Sequence, residues 1–126
     1  MLFRSFGEYY QQREIAKMLE EGVIEISPLA YMRGRTFKNA YIVADECQNT
    51  TVNQMKMLLT RLGEGSKMVV TGDLAQADRL ADNGLINFCD LLQGKPILRH
   101  IDIVHFDARD IERHNAVKEV LSVYGD

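Results

Sequence analysis

The amino-acid sequence predicts an α/β fold, in the form of a three-layer sandwich with a mainly parallel sheet. Short β-branched runs alternate with four segments whose apolar residues recur at i, i+3, i+4 and usually i+7, a spacing typical of helices with one buried face. The run Tyr41–Ala44 is apolar throughout, as expected for a parallel strand covered on both faces. With 126 residues, 46% of them apolar, the chain can form one domain with a substantial core.

The first predicted helix starts after Ser5 and stops at Gly22. Ser5 and Glu8 form a capping-box pattern, in which each side chain satisfies a backbone amide at the helix start. Glycine is a common residue just after a helix end. This helix is expected to bury Ile15, Met18 and Leu19. The β-branched residues that follow predict a strand over residues 23–26.

Tyr41–Ala44 is the second predicted strand, and Thr51 with Gln54 forms a second capping box beyond it. The helix opened by this box ends before Gly63 and carries on one side Val52, Met55, Leu58, Leu59 and Leu62. A third strand is predicted over residues 67–71.

A polar loop over residues 72–83 leads to a helix that Asn83 caps and Gly94 ends. The apolar side of this helix comprises Leu85, Phe88, Cys89 and Leu92. A fourth strand is predicted over residues 101–106. After a charged loop over residues 107–114, a final helix is expected to bury Val117, Val120, Leu121 and Tyr124.

Charge and cysteine usage restrict the class of protein. The formal net charge is -3, so a nucleic-acid partner would have to be met by a local group of arginines. Cys47 and Cys89 lie far apart without neighbouring ligand pairs, which favours reduced thiols over zinc or a disulfide. No apolar run approaches the roughly 20 residues of a membrane span. We therefore expect a cytoplasmic protein without a membrane partner.

Asp45 and Glu46, directly after an apolar strand, are the first candidates for chemistry. Adjacent residues at a strand end point in different directions, so one carboxylate can face a metal-bound phosphate while the other faces water. Asp45 would hold Mg²⁺ through its water shell, and Glu46 would orient the attacking water or accept its proton. The alternative interpretation is a polar strand end before a capped helix.

Polar residues also follow the strand predicted at residues 67–71. Because the carboxyl ends of parallel strands meet at one edge of the sheet, we expect Thr71, Asp73 and Gln76 beside the two acids. Gly72 would let the backbone approach a ligand closely. The alternative for Gly72 and Asp73 is a simple turn.

Several ordered motifs resemble the PhoH family, which comprises P-loop ATPases related to superfamily 1 helicases. The similarity runs from about residue 22 to residue 124. The motifs that carry it are P-L-A-Y-M-R-G-R-T at 28–36, D-E-C-Q-N-T-T at 45–51, Q-M-K-M at 54–57, T-R at 60–61, G-S-K at 65–67, V-T-G-D at 70–73 and D-I-E-R-H at 110–114. The resemblance implies a partial P-loop NTPase fold of the RecA and helicase type, over residues 1–126 as one partial domain, with ATP and Mg²⁺ as cofactors.

The resemblance also implies roles for single residues. Asp45 and Glu46 match the Walker B acids, and Gln48 completes a D-E-x-Q motif. The segment that senses the terminal phosphate of ATP is matched by Gly72, Asp73 and Gln76. Cys47 stands where alanine is usual, and as a small residue suited to burial it should leave the chemistry intact.

Arg113, in the loop before the last helix, is the candidate arginine finger. A guanidinium there would neutralise transition-state charge on a γ-phosphate, for example that of a neighbouring subunit. The alternative is an ion pair with Asp110 or Glu112 on a solvated loop. His114 is expected to start the helix rather than to act as a base.

Arg33 and Arg35, with Lys38 nearby, form the densest basic cluster. Such a cluster would hold a single-stranded nucleic-acid backbone or a subunit interface. Tyr31 and Phe37 are interpreted as packing residues rather than as base-stacking ones.

The phosphate-cradling pattern G-x-x-x-x-G-K-[ST] occurs nowhere in the sequence. In the resembling family the phosphate-binding strand lies between the strands that match residues 67–71 and 101–106. We therefore expect the fold to lack that strand and the isolated chain to hydrolyse ATP weakly or not at all. A late start or incomplete gene and a split protein are the favoured explanations, ahead of a degenerate form whose sheet closes on itself.

The leading interpretation is the carboxyl-terminal portion of a PhoH-like ATPase that, when complete, acts on RNA or single-stranded DNA. It would work as a homo-oligomeric ring, such as a hexamer, or with a complementing amino-terminal half. The alternative is a non-catalytic interaction module that has lost nucleotide binding. A third and less favoured interpretation is a metal-dependent nuclease with an acidic cluster of Asp45, Glu46, Asp73 and Asp78.

Overall fold

The computed structural model of the chain describes residues 10–78, 80–95 and 97–125. Its helices and strands are α1 (Gln12–Glu20), β1 (Tyr41–Ala44), α2 (Val52–Leu59), β2 (Lys67–Val70), α3 (Gly84–Gln93) and α4 (Asn115–Tyr124). Short 3₁₀ turns lie at Leu29–Tyr31, Cys47–Asn49, Leu74–Gln76 and Ala108–Asp110. Within these residues no helix has the length and apolar character needed to cross a membrane. The chain divides into two compact units, which meet in the sequence at Gly94 and Lys95.

The sheet of the first unit is parallel. β1 and β2 pair with Tyr41 opposite Lys67 and Ala44 opposite Val70. The predicted α/β class and the parallel pairing of these two strands are therefore confirmed. The described residues contain two strands in this sheet, so the three-layer sandwich remains a prediction for a larger sheet.

The core covers one face of the sheet. Ile42 and Ala44 of β1 are half-buried, whereas Tyr41 and Val43 on the other face are 67% and 49% exposed. The expectation that β1 is covered on both faces is therefore wrong for the described residues. Next to the covered face is a cluster of five buried residues, Met32, Cys47, Met55, Leu58 and Leu85.

Helix α2 starts as the sequence predicts. The Thr51 hydroxyl accepts a hydrogen bond from the Gln54 amide at 3.1 Å, and Gln54 Oε1 accepts one from the Thr51 amide at 2.9 Å. The helix ends at Leu59, earlier than predicted, because the chain then turns and Leu62 forms a parallel bridge with Phe37.

Helix α1 begins at Gln12, with Gln11 at its N-cap position. The predicted continuous helix from Ser5 is therefore wrong at Tyr10 and Gln11, and the capping-box pattern of Ser5 and Glu8 lies outside the described residues. Ile15 is buried as expected. The helix ends before Gly22, whose backbone is left-handed with φ +76°, as predicted for a helix terminator.

The strand predicted over residues 23–26 is wrong. The backbone amides of Val23 and Ile24 both donate to Met18 O, at 2.9 and 3.1 Å, so they satisfy the end of α1 instead of a strand partner. Val23 is 70% exposed and Ile26 is 54% exposed.

The second unit contains α4 and no strand among its described residues. The strand predicted over residues 101–106 is wrong, because no described strand lies alongside it to form a ladder, and its side chains are exposed. The final helix is confirmed, but its expected burial is not: Val117, Val120 and Tyr124 are 44%, 53% and 78% exposed, and only Leu121 is half-buried.

Candidate functional site

The carboxyl ends of β1 and β2 meet at one edge of the sheet, because the two strands are parallel. The ladder continues past the strands, since the Thr71 amide donates to Ala44 O at 2.8 Å and the Cys47 amide donates to Thr71 O at 2.9 Å. The Thr71 hydroxyl also donates to Asp45 Oδ1 at 2.6 Å. The predicted meeting of these strand ends is therefore confirmed.

Asp45 has one engaged and one open carboxylate oxygen. Oδ1 accepts from the Thr71 hydroxyl and from the Glu46 amide at 3.0 Å. Oδ2 accepts no hydrogen bond from the described residues, and the residue is exposed. A carboxylate fixed through one oxygen and open at the other fits a water molecule of a hydrated Mg²⁺ ion.

Glu46 has an unusual backbone. Its φ of 57° and ψ of 39° are left-handed, a conformation that costs a non-glycine residue about 1 kcal/mol or more. The Asn49 amide donates to Glu46 O at 3.2 Å, which closes the 3₁₀ turn that follows. The extended strand therefore ends before Glu46.

Gln48 links the two strand ends through its side chain. It is 4% exposed, and its two polar atoms are both used. Nε2 donates to Glu46 Oε2, and Oε1 accepts from the Asp73 amide at 3.1 Å. The sequence indicated Gln48 through family resemblance alone, whereas the structure gives it a physical function: it holds the Glu46 carboxylate against the loop after β2.

Asp73 organises that loop. Its Oδ1 accepts from the Ala75 amide at 2.9 Å, and its Oδ2 accepts from Gln76 Nε2 at 3.0 Å. These predicted site residues thus form one hydrogen-bonded network, in which Asp45 is joined to Thr71 and, through the Glu46 amide, to the series that runs from Glu46 through Gln48 and Asp73 to Gln76.

At Gly72 an added side chain would have to displace its neighbours. A Cβ at this position would be 2.5 Å from Leu85 Cδ2 and 3.1 Å from the Gln48 amide nitrogen. Gly72 is thus in close contact with the protein's own core, and the approach of its backbone to a ligand stays a prediction.

Cys47 follows the acids in the chain and has 2% of its surface exposed, as expected of a small buried replacement. Its thiol donates to Ala44 O at 3.3 Å. Burial, together with the negative charge of Asp45, raises the pKa of this thiol to about 11. Cys47 is therefore a neutral packing group at physiological pH.

A cleft of about 730 Å³ reaches the two acids. β1 lines it, together with Val23, Ile24, Met32, Asp45 and Glu46. The acids thus form part of the lining of a mostly apolar cleft beside the strand.

Arg33 and Arg35 differ in their surroundings. Arg35 makes a two-pronged ion pair with Glu25, at 2.6 and 3.1 Å, and its guanidinium lies 4.6 Å from the centre of the Phe37 ring. The hydrogen bond from Arg35 lowers the pKa of Glu25. Arg33 is exposed and has no ion-pair or hydrogen-bond partner for its side chain among the described residues.

The two aromatic residues near this cluster also differ. Phe37 packs against the core cluster, as predicted. Tyr31 is 73% exposed, so its interpretation as a packing residue is wrong.

Arg113 lies in the second unit, in the loop before α4, and its residue is exposed. The alternative ion pair with Asp110 or Glu112 is absent among the described residues. Arg109 is the paired residue of this loop, with Asp107 Oδ2 at 2.7 Å. His114 starts α4 as expected, since its Nδ1 accepts from the Ala116 amide at 3.1 Å.

The acidic cluster of the nuclease interpretation is not assembled. Among the described residues, no three His, Cys, Asp or Glu side chains are grouped so that they could hold a metal ion. Asp78 instead accepts from the Leu80 amide at 2.9 Å, within its own loop.

Asn83 has a second function that the sequence did not indicate. Its Oδ1 accepts from the Ile86 amide at 3.0 Å, which confirms the predicted cap of α3. Its Nδ2 donates to the backbone carbonyl of Gln48, at the centre of the site. Capping residues are recognisable in sequence, but a contact 35 residues away has no local signal.

Comparisons with known proteins place this site in context. A model of the family described as "PhoH-like protein" matches residues 1–125. The chain is 46% identical over 110 residues to a PhoH-like protein of Bacillus subtilis, 50% over 112 residues to one of Mycobacterium tuberculosis, and 41% over 120 residues to Protein PhoH of Escherichia coli. These matches cover 86%, 87% and 95% of this chain but 34%, 31% and 32% of the relatives. The chain thus spans about a third of the length of these curated relatives.

Proposed function

The chain belongs to the PhoH-like protein family, and from this premise we propose that it is the Walker B portion of a magnesium-dependent ATPase. In a complete protein, hydrolysis would be coupled to work on RNA or single-stranded DNA. The observation that carries the proposal is the hydrogen-bonded edge formed by Asp45 and Thr71 and by Glu46, Gln48 and Asp73.

The residues of this edge suit separate tasks. Asp45, fixed by Thr71 and open at Oδ2, would hold the water shell of Mg²⁺. The bound ion would neutralise charge on the β- and γ-phosphates. Glu46, held at Oε2 by Gln48, would orient the attacking water and accept its proton.

Two further functions are proposed for residues in the loops. Gln76, tied to Asp73, would contact the terminal phosphate. Arg113, exposed and without an ion pair among the described residues, would act as an arginine finger, toward a neighbouring subunit in a ring. The phosphate-cradling loop and the three-layer P-loop fold would come from sequence beyond these motifs, so we expect weak or no hydrolysis by the chain alone.

The test requires a completed protein, defined here as the Bacillus subtilis relative with its matching third replaced by this chain. We expect magnesium-dependent ATP hydrolysis that Glu46→Gln suppresses by about 100-fold or more while ATP binding is kept, because the amide cannot accept the proton. Unchanged turnover in Glu46→Gln would remove Glu46 as the base. Titration of the chain alone with a fluorescent ATP analogue and Mg²⁺ should show weak or no binding.

One observation also fits the alternative, a non-catalytic interaction module. Tyr41 and Val43 form an exposed apolar strip on β1, which is typical of a surface that another polypeptide covers. Under this alternative the completed protein would be folded and would have no affinity for ATP.

A further inference from the structure

Three consecutive residues hold the segment that follows the acids. Asp82 Oδ1 accepts from the Val52 amide at 3.1 Å, and the Gly84 amide donates to Thr50 O at 2.8 Å. Between them, Asn83 Nδ2 donates to Gln48 O. Residues 82–84 thus form hydrogen bonds to every second residue from 48 to 52, and we call this set of contacts the 82–84 clamp.

The starts of α2 and α3 are closely packed at the clamp. A Cβ on Gly84 would be 2.7 Å from Met55 Cβ and 2.9 Å from Thr50 Oγ1, so α3 starts in direct contact with the start of α2. Thr50 is 6% exposed, and its hydroxyl donates to Cys47 O at 2.7 Å. The backbone from Cys47 to Thr50 is therefore fixed from both sides.

Within the clamp, the Asn83 donor is not needed for capping. A helix N-cap requires only a side-chain oxygen, and asparagine, aspartate and serine serve about equally well. The Asn83 oxygen already fills that role toward Ile86. The amide group of the same side chain is directed to Gln48, whose own amide holds the Glu46 carboxylate.

The geometry points to Asn83 as a positioning residue, which fixes the Gln48 backbone and thereby places the Glu46 carboxylate for its reaction. This inference rests on the proposed function, since it assigns the placement to the hydrolytic step. Asn83 acts through Gln48 and not through contact with a reacting group. Its effect on turnover arises because small displacements of a catalytic group are costly, with losses on the order of 100-fold for about 1 Å.

Asn83→Asp separates positioning from capping. The carboxylate keeps the acceptor for Ile86 and suits a helix N-terminus, but it removes the donor and turns an oxygen toward Gln48 O. Asn83→Ala removes both functions. Asn87→Asp, one turn along the same helix, is the matched control for the added charge.

Two measurements decide the inference. In amide NMR spectra of the chain, Asn83→Asp should shift the resonances of residues 46–50 and the Gln48 side-chain amide, and it should lower the melting temperature less than Asn83→Ala does, because the cap is kept. In the completed protein, Asn83→Asp should lower kcat about 10- to 100-fold with little change in the KM for ATP. Asn87→Asp should change neither the resonances of residues 46–50 nor kcat.

Unmoved resonances at residues 46–50 in Asn83→Asp would overturn the inference. It would also be overturned by unchanged kcat in Asn83→Asp if Asn83→Ala loses both stability and turnover, because Asn83 would then be a helix cap only. If the completed protein hydrolyses no ATP even without a substitution, the proposed function fails. The spectra of the chain still decide whether Asn83 positions Glu46.

Discussion

The Thr71 hydroxyl and the Asp45 carboxylate, which are 26 residues apart, join the ends of two neighbouring strands by a hydrogen bond of 2.6 Å. The bond fixes one carboxylate oxygen and leaves the other open to solvent. Asp45 is therefore oriented before any ligand arrives, and the magnesium dependence of turnover should reflect this.

We expect Thr71→Val to raise the Mg²⁺ concentration needed for half-maximal hydrolysis in the completed protein by about tenfold. The reason is that a hydrogen bond to a charged group contributes on the order of 1–3 kcal/mol to its placement. Thr71→Ser, which keeps the hydroxyl, should behave almost as the unsubstituted protein. Equal Mg²⁺ requirements for the valine and serine variants would show that the bond does not prepare Asp45.

Gly72→Ala should destabilise the chain by about 1–3 kcal/mol, measured as the free energy of unfolding in urea. The added methyl group would meet Leu85 Cδ2 at 2.5 Å and the Gln48 amide at 3.1 Å. Gly94→Ala is the matched control, because its nearest neighbour, Leu91 O, lies at 3.8 Å and its φ is negative. If both variants were equally stable, the packing around Gly72 would be looser than the structure indicates.

The Cys47 thiol should make stability depend on pH under alkaline conditions. Its pKa is about 11 in the folded chain against an ordinary value of 9.0, so between these values the unfolded chain releases a proton that the folded chain keeps. The free energy of unfolding should therefore fall as pH rises through this window, by up to about 1.4 kcal/mol per pH unit. The stabilising contribution is fully present below pH 9.

Urea titrations at several pH values test this expectation, with Cys47→Ala as the control. Cys89, whose pKa is also raised by burial, is present in both proteins, so the difference between their curves isolates Cys47. Parallel curves would mean that the thiol ionises equally in the folded and unfolded chains.

Arg33→Ala should weaken binding of the completed protein to single-stranded RNA more than Arg35→Ala does. Arg33 has no partner among the described residues, whereas Arg35 is held by Glu25 and Phe37. Loss of one phosphate contact should also reduce the slope of log affinity against log salt by about 0.7. Fluorescence anisotropy at several salt concentrations measures both effects. The reverse order of the two variants would assign phosphate binding to Arg35.

Arg113→Ala should lower turnover of the completed protein by about 1000-fold or more if Arg113 is the finger, with little change in ATP binding or melting temperature. Arg109→Ala is the control, because that arginine belongs to the same loop but is engaged by Asp107. Comparable turnover in the two variants would show that Arg113 is an ordinary surface residue and not an arginine finger.

The sequence predicted those parts of the fold and site that local patterns determine. The caps at Thr51 and Asn83 follow from residue types at fixed spacing, and both are present. The meeting of Asp45 with Thr71 follows from the rule that parallel strands end at one edge. Each of these inferences needs only a few neighbouring residues or one general property of sheets.

The predictions that failed concern residues whose structure depends on partners distant in sequence. Residues 23–26 and 101–106 have the composition of strands, but a strand exists only when another lies beside it, and periodicity does not reveal whether one does. The bond from Asn83 to Gln48 is likewise invisible in sequence, because it depends on where α3 starts relative to the turn after β1. The sequence places Arg35 beside Arg33, and only the fold brings Glu25 to it.

The left-handed backbone of Glu46 places stability and activity in opposition at one residue. Glycine or asparagine would adopt this conformation at lower cost, by about 1 kcal/mol, but either would also take the carboxylate acceptor from the buried Gln48 amide, which costs about 1–3 kcal/mol. The same substitution would remove the carboxylate on which turnover is proposed to depend. A laboratory selection for thermal resistance alone should therefore discard Glu46 only together with a change at Gln48, whereas a selection for turnover should keep both residues.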